Sequence, residues 1–398
     1  MLFADHNGTT PMAEGVLAAM VPFLRESWAN PSARLTPPGR DTAAAIEVAR
    51  REVANLIEAE PGEISFTGGG SESCFLGLVG CFVDDPRDHL LISAVEHEAI
   101  RSAAEFLSKL KPTVTVEVLP VSRTGQIDID LLLSKIRPGR SVVSLMLANN
   151  ETGVVFPLAN LAPRLREREV ILHADAIQAV GKIPVNVRDL GVDVLSLSAH
   201  KFFGPKGVGG LFVRSGYKAW ASPMRAGGQE LGRRGGTENV AGIVGCGVAA
   251  RLAQAALCEA PNRLPMNERF ERLMQEQLQE QCPQPLIING LGERRLPNTT
   301  SVTIEGVLGQ DIVVELAKQD IFVSAGSACS AQFSRPSHVL LAMGLNTLQA
   351  ASTLRVSLDP FLSEAAAALQ LRPLSEAIVQ TVDRLKRNYQ EQLAARVS

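Results

Sequence analysis

The chain has 398 residues with a formal net charge of −3, 45% hydrophobic residues and 20% charged residues. This near-neutral balance is typical of a globular protein of one or two domains and predicts no direct binding of nucleic acid or of an anionic membrane. No uninterrupted apolar run reaches the length of a membrane span, the N-terminus shows no secretory leader, and the six cysteines have no disulfide or metal-ligand spacing. We therefore expect a cytoplasmic protein with free thiols and no metal site.

Helical and strand patterns alternate along most of the chain. Helical periodicity covers residues 11–27 and 42–58, and residues 240–281 form a longer helical stretch that is broken near Pro261 and Pro265. The strand candidates include several continuous apolar runs, and they lie at residues 63–67, 90–95, 114–120, 141–147, 169–173, 192–198 and 209–213. Such strands, alternating with helices, predict an α/β fold with a mostly parallel seven-stranded sheet that helices cover on both faces.

The last third of the chain changes character. Strand candidates at residues 299–304, 321–324 and 353–358 are separated by helical stretches, which predicts a second, smaller α+β domain. The N-terminal segment can join that domain. We predict a large domain at residues 14–256 and a small domain that residues 1–13 and 257–398 form together.

One apolar strand candidate ends in a short polar cluster that includes Lys201, before a turn rich in glycine and proline. Desolvation and nearby cations lower the pKa of a buried lysine, which makes its amine a nucleophile able to form a Schiff base. The covalent lysine of a pyridoxal phosphate (PLP) enzyme requires this chemistry. A lysine that merely extends from a strand end to solvent gives the same pattern. From this stretch alone the two interpretations are equally well supported.

A glycine-rich turn at residues 67–73 follows one strand candidate and precedes an apolar helix. Gly70 lets the backbone approach an anion, the amides of the first helical turn point at it, and Ser71 can either cap the helix or bind a phosphate. The motif is neither a P-loop nor a dinucleotide-binding fingerprint. The turn favours a phosphate site over a plain helix start.

Three other strand candidates also end in polar residues. Asp175 can hold a protonated pyridine nitrogen or cap the next helix. Asn150 can belong to a simple turn, and His97 can be an ordinary surface or core histidine. Ligand sites in open α/β sheets lie outside the carboxyl ends of the strands. Five candidates fall at that predicted edge: Gly70, His97, Asn150, Asp175 and Lys201. Their convergence predicts one site there.

Three further features of the sequence are candidates for binding or catalysis, and each also has a purely structural interpretation or an unusual local environment. The loop at residues 227–239 is rich in glycine and arginine, which suits an anion-binding loop and a flexible surface turn equally. Cys329 stands among small polar residues, as a reactive thiol does, rather than among apolar ones. Arg355 lies within a strand pattern and needs an acidic partner, which is either a substrate carboxylate or a structural Asp or Glu.

Together these motifs resemble one known family. Along the chain stand GGGSES, EHEAI, NNETG, HADAIQ, SAHKFFGPKG, GGQELGRRGGTEN and GSACS, in this order. In combination they resemble the class V, fold-type I PLP enzymes and, among these, the cysteine desulfurase and selenocysteine lyase family. The resemblance covers nearly the whole chain, from Asp5 to Ser357. It implies a fold-type I architecture, pyridoxal 5'-phosphate as cofactor and a homodimer.

The resemblance also implies how the candidates surround PLP. Lys201 would bind the cofactor as a Schiff base, Asp175 would pair with the pyridine nitrogen, and Gln178 would pair with the ring hydroxyl. His97 would stack on the ring and move protons. Four residues would hold the phosphate: Gly70, Ser71, Ser198 and His200. Thr237 would reach the phosphate bound by the neighbouring subunit, so the dimer would share its two sites.

The remaining candidates concern the substrate. By the resemblance, Asn150 and Arg355 would hold its carboxylate, and Cys329 would be the nucleophile. The leading hypothesis is a cysteine desulfurase that converts L-cysteine to L-alanine. It would pass the sulfur, as a Cys329 persulfide, to an unidentified acceptor protein for iron–sulfur clusters or thiolated nucleosides. The alternatives are a selenocysteine lyase, a weakly active sulfur-relay homologue and an ordinary aminotransferase.

Overall fold

A computed structural model gives the fold and describes residues 1–218, 220–224, 226–259, 265–282, 285–326 and 336–397. Of the candidate residues named above, Cys329 lies outside the described residues. The others can be placed.

Strands and helices alternate as the pattern predicts. The strands in the described residues are β1 (Leu2–Phe3), β2 (Ile64–Thr67), β3 (His89–Ser93), β4 (Thr115–Leu119), β5 (Ser141–Met146), β6 (Ile171–Asp175), β7 (Val194–Ser198), β8 (Gly209–Val213), β9 (Leu286–Ile288), β10 (Thr299–Ile304), β11 (Ile321–Phe322) and β12 (Thr353–Ser357). The helices are α1 (Glu14–Arg25), α2 (Pro37–Leu56), α3 (Gly70–Gly80), α4 (Glu98–Leu110), α5 (Ile129–Lys135), α6 (Leu158–Arg166), α7 (Val187–Leu190), α8 (Val240–Glu259), α9 (Met266–Gln281), α10 (Gly309–Ala317), α11 (His338–Ala342), α12 (Thr347–Ala351) and α13 (Glu364–Val397).

Seven of the strands form one sheet in the order β4-β3-β5-β6-β7-β8-β2. The neighbours from β4 to β7 pair in parallel, whereas β8 runs antiparallel to both β7 and β2. β2 therefore points in the same direction as β7. Each strand overlaps one of the seven predicted positions, so the prediction of an α/β fold with a mostly parallel seven-stranded sheet is confirmed.

Helices cover both faces of this sheet, which explains its apolar strands. In β5, Val142 packs in an apolar cluster with α3 and α4, whereas Val143 packs in another with α2, α6 and α8. Val194 and Leu195 of β7 divide in the same way. Successive side chains of a strand point to opposite faces. A continuous apolar run results because both of those faces are buried.

α2 begins earlier than its periodicity predicts. The predicted helix covers residues 42–58, whereas α2 begins at Pro37. The Thr36 hydroxyl accepts a hydrogen bond from the Gly39 amide at 3.4 Å, which caps the helix. Proline fits the first helical positions because their amides have no partner inside the helix. Pro37 and Pro38 therefore belong to the first helical turn.

A second group of elements surrounds a separate apolar core. β9, β10 and β12 form an antiparallel sheet, and β1 pairs in parallel with β11. The core of this group includes Ala4 beside Phe270 of α9 and Val379 of α13. The first residues of the chain are thus held by elements that lie more than 250 residues further on. The domain boundaries given above stay a prediction.

α8 is unusually apolar for a helix of this protein. Within the described ranges it is the one helix with the length and composition of a membrane span, 20 residues with a mean hydropathy of 1.6. Half of its most apolar window is buried inside the protein, where α8 packs against α1 and α2. Because core helices of soluble proteins have the same composition, α8 is weak support for a membrane span.

Candidate active site

The carboxyl ends of five strands meet at one edge of the large sheet, because β2 points the same way as the parallel strands. One candidate residue ends or follows each strand: Gly70 after β2, His97 after β3, Asn150 after β5, Asp175 at the end of β6 and Lys201 after β7. The structure thus brings together the five residues whose convergence the sequence predicts.

Glycines form a concave surface where β2 meets α3. A Cβ atom on Gly70 would lie 2.5 Å from Cδ1 of Ile177, and one on Gly209 would lie 2.6 Å from the carbonyl carbon of Gly69. Gly69 has a backbone φ of +145°, which residues other than glycine rarely adopt. The backbone at the beginning of α3 is therefore open to a close-fitting anion.

A cavity of about 480 Å³ lies in front of α3. It is lined by Gly8, Thr9, Gly68, Gly69, Gly70, Ser71, Glu72, Ser198, His200, Lys206 and Gly207. This lining contains all four candidate phosphate residues. The hydroxyl oxygen of Ser198 is buried and has no hydrogen-bond partner within the described chain. Because buried hydroxyls are nearly always paired, this one fits a ligand oxygen.

The charge around this cavity comes from lysines rather than from its histidine. His200 Nδ1 lies 3.1 Å from the Thr9 hydroxyl oxygen, within hydrogen-bond distance. Burial, together with the nearby charges of Lys201 and Lys206, lowers the pKa of His200 to about 4. His200 is therefore neutral at pH 7, and Lys206 supplies a positive charge to the wall.

Asp175 is a buried carboxyl group, 4% exposed. Burial raises its pKa, while electrostatic attraction to His97 and Lys201 and a hydrogen bond from the Ile177 amide oppose that rise. The amide bond to Oδ1 is 3.0 Å long. Asp175 therefore closes a turn with one oxygen rather than capping a helix, since the next helix begins only at Val187.

His97 stands at the N-terminus of α4, and its Nδ1 accepts a hydrogen bond from the Ala99 amide at 3.1 Å. A neutral imidazole in this bond carries its proton on Nε2. The preceding residue, Glu96, is fully buried, and burial raises its pKa to about 8 although hydrogen bonds from Ser93 and Met146 oppose the shift. Glu96 is therefore mainly a neutral acid at pH 7.

The Lys201 amine contacts the N-terminal turn (residues 5–8). Its Nζ donates hydrogen bonds to the carbonyl oxygens of Asn7 at 2.6 Å and Gly8 at 2.7 Å. Gln178, the candidate partner of the ring hydroxyl, donates Nε2 to the same Asn7 carbonyl at 3.0 Å. Two candidate cofactor contacts thus converge on one backbone oxygen.

The same turn holds Arg355, which is 2% exposed. Its Nη2 lies 2.6 Å from Oδ1 of Asp5, and its Nη1 donates to the Asn150 carbonyl at 3.1 Å. Its Nε is buried without a partner in the described chain. The structural acid that the sequence suggested is therefore present, and one guanidinium N–H is still left for a ligand.

Thr237 is exposed and does not line the cavity. Its loop is nevertheless tied to the glycine turn, because Arg234 Nε donates to Oε1 of Glu72 at 2.8 Å while the Gly68 amide donates to Oε2 at 2.9 Å. An outward-facing threonine beside this loop is compatible with contact to a second copy of the chain.

The described residues that flank the Cys329 segment lie at the site. On one side, Ser324 and Arg355 exchange two backbone hydrogen bonds of 3.1 and 2.7 Å. On the other side, the Ser337 hydroxyl donates to Oε2 of the buried Glu151 at 2.5 Å. The described residues on both sides of positions 327–335 therefore lie beside the candidate substrate residues.

Sequence analysis did not single out several polar residues that the structure places here: Asp5, Asn7, Glu96, Glu151 and Lys182. For one of them, the sequence contains a local pattern that could have identified it. Lys182 follows the HADAIQ motif by four residues, the spacing at which side chains meet in a helical turn. The others depend on contacts between distant parts of the chain.

Known proteins resemble this chain over most of its length. A family model described as aminotransferase class-V matches residues 2–366. The cysteine desulfurase IscS of Dictyoglomus turgidum is 40% identical over 361 residues, which are 90% of this chain and 89% of that protein. A cysteine desulfurase of Cereibacter sphaeroides is 39% identical over 391 residues, which are 97% of this chain and 96% of the relative.

Solved structures agree with these relatives. A NifS-like protein is 32% identical with a TM-score of 0.82, covering 94% of this chain and 98% of its own. SspA in complex with cysteine is 33% identical with a TM-score of 0.78, covering 91% of this chain and 100% of its own. The chain therefore belongs to the aminotransferase class-V family and, within it, to the cysteine desulfurases.

Proposed function

We propose that this protein converts L-cysteine to L-alanine and transfers the sulfur to Cys329 as a persulfide. One observation carries the proposal: the N-terminal turn holds both the Lys201 amine and the Arg355 guanidinium, through the carbonyls of Asn7 and Gly8 and the carboxylate of Asp5. An amine for covalent attachment and a guanidinium N–H for a carboxylate thus belong to side chains that contact one short turn. An enzyme that acts on an α-amino acid needs both groups close together.

The cofactor would be PLP, and the residues present fit it. The unpaired Ser198 hydroxyl and the glycine surface at α3 suit a phosphate. The buried Asp175 carboxyl suits a protonated pyridine nitrogen, Gln178 would contact the ring hydroxyl, and His97 would lie on the ring. When bound, PLP supplies an electron sink for charge that develops on the substrate Cα.

Four side chains would act on L-cysteine. The free Nε of Arg355 would bind the substrate carboxylate, with Asn150 beside it. His97, whose Nδ1 is fixed by the Ala99 amide, would move the α-proton at Nε2. The Cys329 thiolate would attack the substrate sulfur.

That attack forms an S–S bond and breaks the Cβ–S bond. The electron pair of the broken bond stays with carbon, which takes up a proton. The enzyme thiol and L-cysteine together give a persulfide and L-alanine, so no external oxidant or reductant is required. The persulfide would then pass to a protein that makes iron–sulfur clusters or thiolates tRNA.

The active unit would be a homodimer in the cytoplasm. Thr237 would reach the phosphate cavity of a second copy, and the exposed apolar residues Trp28 and Leu35, at 79% and 97% exposure, support a covered surface near α1 and α2. We propose that residues 14–256 form the large PLP-binding domain. Residues 1–13 and 257–398 would form the small domain that carries Cys329.

The test is alanine formation from L-cysteine by purified protein and by the variant Cys329→Ala. A matched control is Cys258→Ala, because Cys258 is an exposed thiol elsewhere. We expect alanine from wild type and from the control but little from Cys329→Ala. Equal alanine from all three would reject Cys329 as the nucleophile. No alanine from any of them would reject the proposed activity. The alternative would then be a selenocysteine lyase, which the cysteine desulfurase relatives do not favour.

A further inference from the structure

Lys182 is a buried lysine that the proposed reaction does not use. The residue is 3% exposed. Its Nζ donates hydrogen bonds to Oδ1 of Asn7 at 2.7 Å and to Oε1 of Gln178 at 2.6 Å. Both acceptors are neutral amide oxygens. A buried lysine without a carboxylate at its amine is unusual, because burying a charge is costly unless it is paired.

The surroundings of Lys182 favour its neutral form. Burial holds its pKa well below the ordinary lysine value, and the nearby Lys201 and Arg355 lower it further, whereas Asp5 opposes them. A neutral amine has two N–H groups, and the described chain offers two acceptors. An ammonium group would leave a third N–H unpaired in a buried position, which is unfavourable.

A donor at this position determines how two side-chain amides are oriented. Because Lys182 contacts Oε1 of Gln178, the Nε2 group of Gln178 points away from it and binds the Asn7 carbonyl at 3.0 Å. Because Lys182 contacts Oδ1 of Asn7, the Nδ2 group of Asn7 binds the Asn150 carbonyl at 3.1 Å and the Thr299 hydroxyl at 2.9 Å. Rotating either amide would remove the acceptor of one lysine N–H group and leave that N–H unpaired in a buried position.

These contacts continue to the substrate side of the site. The Asn150 carbonyl that Asn7 binds also accepts Nη1 of Arg355. We propose that Lys182 is a positioning residue, which orients Gln178 for the cofactor and, through Asn7 and Asn150, Arg355 for the substrate carboxylate. This inference rests on the proposed function, since it assigns a role around the same site.

A purely structural lysine provides the matched control. Lys111, just after α4, donates to the carbonyls of Phe82, Asp85 and Arg87 at 3.2, 2.9 and 3.2 Å. It lies at the far end of α4 from His97, a distance of about 20 Å for a helix of that length. Its replacement removes partly buried hydrogen bonds without touching the site.

The experiment compares Lys182→Met and Lys111→Met with wild type. Each apo-protein is titrated with PLP, and kcat and KM for L-cysteine are measured on the loaded enzymes. For Lys182→Met we expect the Kd for PLP and the KM to rise about 10-fold each, because both amides lose a donor. For Lys111→Met we expect a lower melting temperature with both constants unchanged. A Lys182→Met protein with wild-type Kd and KM would overturn the proposal.

A second variant keeps the test decisive if Lys182→Met does not fold. Lys182→Ala leaves a cavity, and added ethylamine can supply the missing donor. Restoration of PLP affinity by ethylamine supports the proposal, and an affinity that ethylamine leaves unchanged overturns it. The Kd for PLP is measured without turnover, so it tests Lys182 independently of the proposed reaction. If wild type binds PLP but forms no alanine, the proposed reaction is rejected. The Kd values of wild type and the Lys182 variants still decide the role of Lys182.

Discussion

The two halves of the candidate site are built in different ways. On the cofactor side, candidate residues end or follow single strands of a regular sheet, as with Gly70, Asp175 and Lys201. On the substrate side, the N-terminal turn (residues 5–8) contacts residues that are distant in the sequence, including Arg355. The first half needs little beyond correct strand pairing, whereas the second exists only when both ends of the chain have met.

The largest expected effect is on the cofactor side. Lys201→Ala removes the proposed covalent amine, so we expect turnover to fall by roughly 10³-fold or more. The visible absorption of lysine-bound PLP should also disappear. Alanine formation and an absorption spectrum measure both effects.

Lys109→Ala is the control for this experiment, because its side chain is 72% exposed on α4. Its turnover and spectrum should match wild type. Retained turnover in Lys201→Ala would contradict both the assignment of Lys201 and the view that strand ends carry the cofactor chemistry.

A smaller effect concerns the acid at the end of β3. The pKa of Glu96 is about 8 in the folded protein, above the ordinary value of 4.5. The folded state therefore binds the extra proton between these values, and its stability falls as pH rises from 4.5 to 8. We expect Glu96→Gln to remove this dependence and to gain roughly 4 kcal/mol over wild type at pH 8. Urea unfolding across this pH range measures it.

The neighbouring Glu98 offers a control for the pH experiment, since its side chain is 64% exposed. Glu98→Gln should not reproduce the gain in stability expected of Glu96→Gln, because its side chain is in contact with solvent. If Glu96→Gln shows the same pH profile as wild type, Glu96 is not a neutral buried acid.

The smallest effect tests the substrate side. Asp5→Asn leaves the buried Arg355 without its anionic partner, which should cost about 2 kcal/mol of unfolding free energy. A ligand carboxylate can take the place of Asp5. We therefore expect L-alanine to raise the melting temperature of Asp5→Asn more than that of wild type.

The exposed pair of Arg164 and Asp130, 3.2 Å apart, is the matched control for this prediction. Asp130→Asn should change stability by less than about 1 kcal/mol, because exposed ion pairs contribute little. An Asp5→Asn protein as stable as wild type, with no added response to L-alanine, would show that the turn does not hold Arg355.

The same contrast explains how much of the molecule the sequence predicts. Strands such as β5 and β7 could be located because buried parallel strands are continuous apolar runs, and the residues that follow parallel strands reach one edge by the geometry of the sheet. The contact of Asp5 with Arg355 joins residues 350 positions apart, and no local pattern encodes it. The buried Lys182 was missed because charged side chains are expected at the surface.

The position of the N-terminal turn has a consequence for how the protein is made. Asn7 is synthesised 350 residues before Ser357, yet its amide binds the hydroxyl of Ser357, and β1 pairs with β11. Because domains fold as their chain is synthesised, the large sheet can form while these partners are still missing. The substrate half of the site is therefore assembled last. A nascent or truncated chain would therefore expose Lys201, at the carboxyl ends of the sheet strands, before it could bind an amino acid.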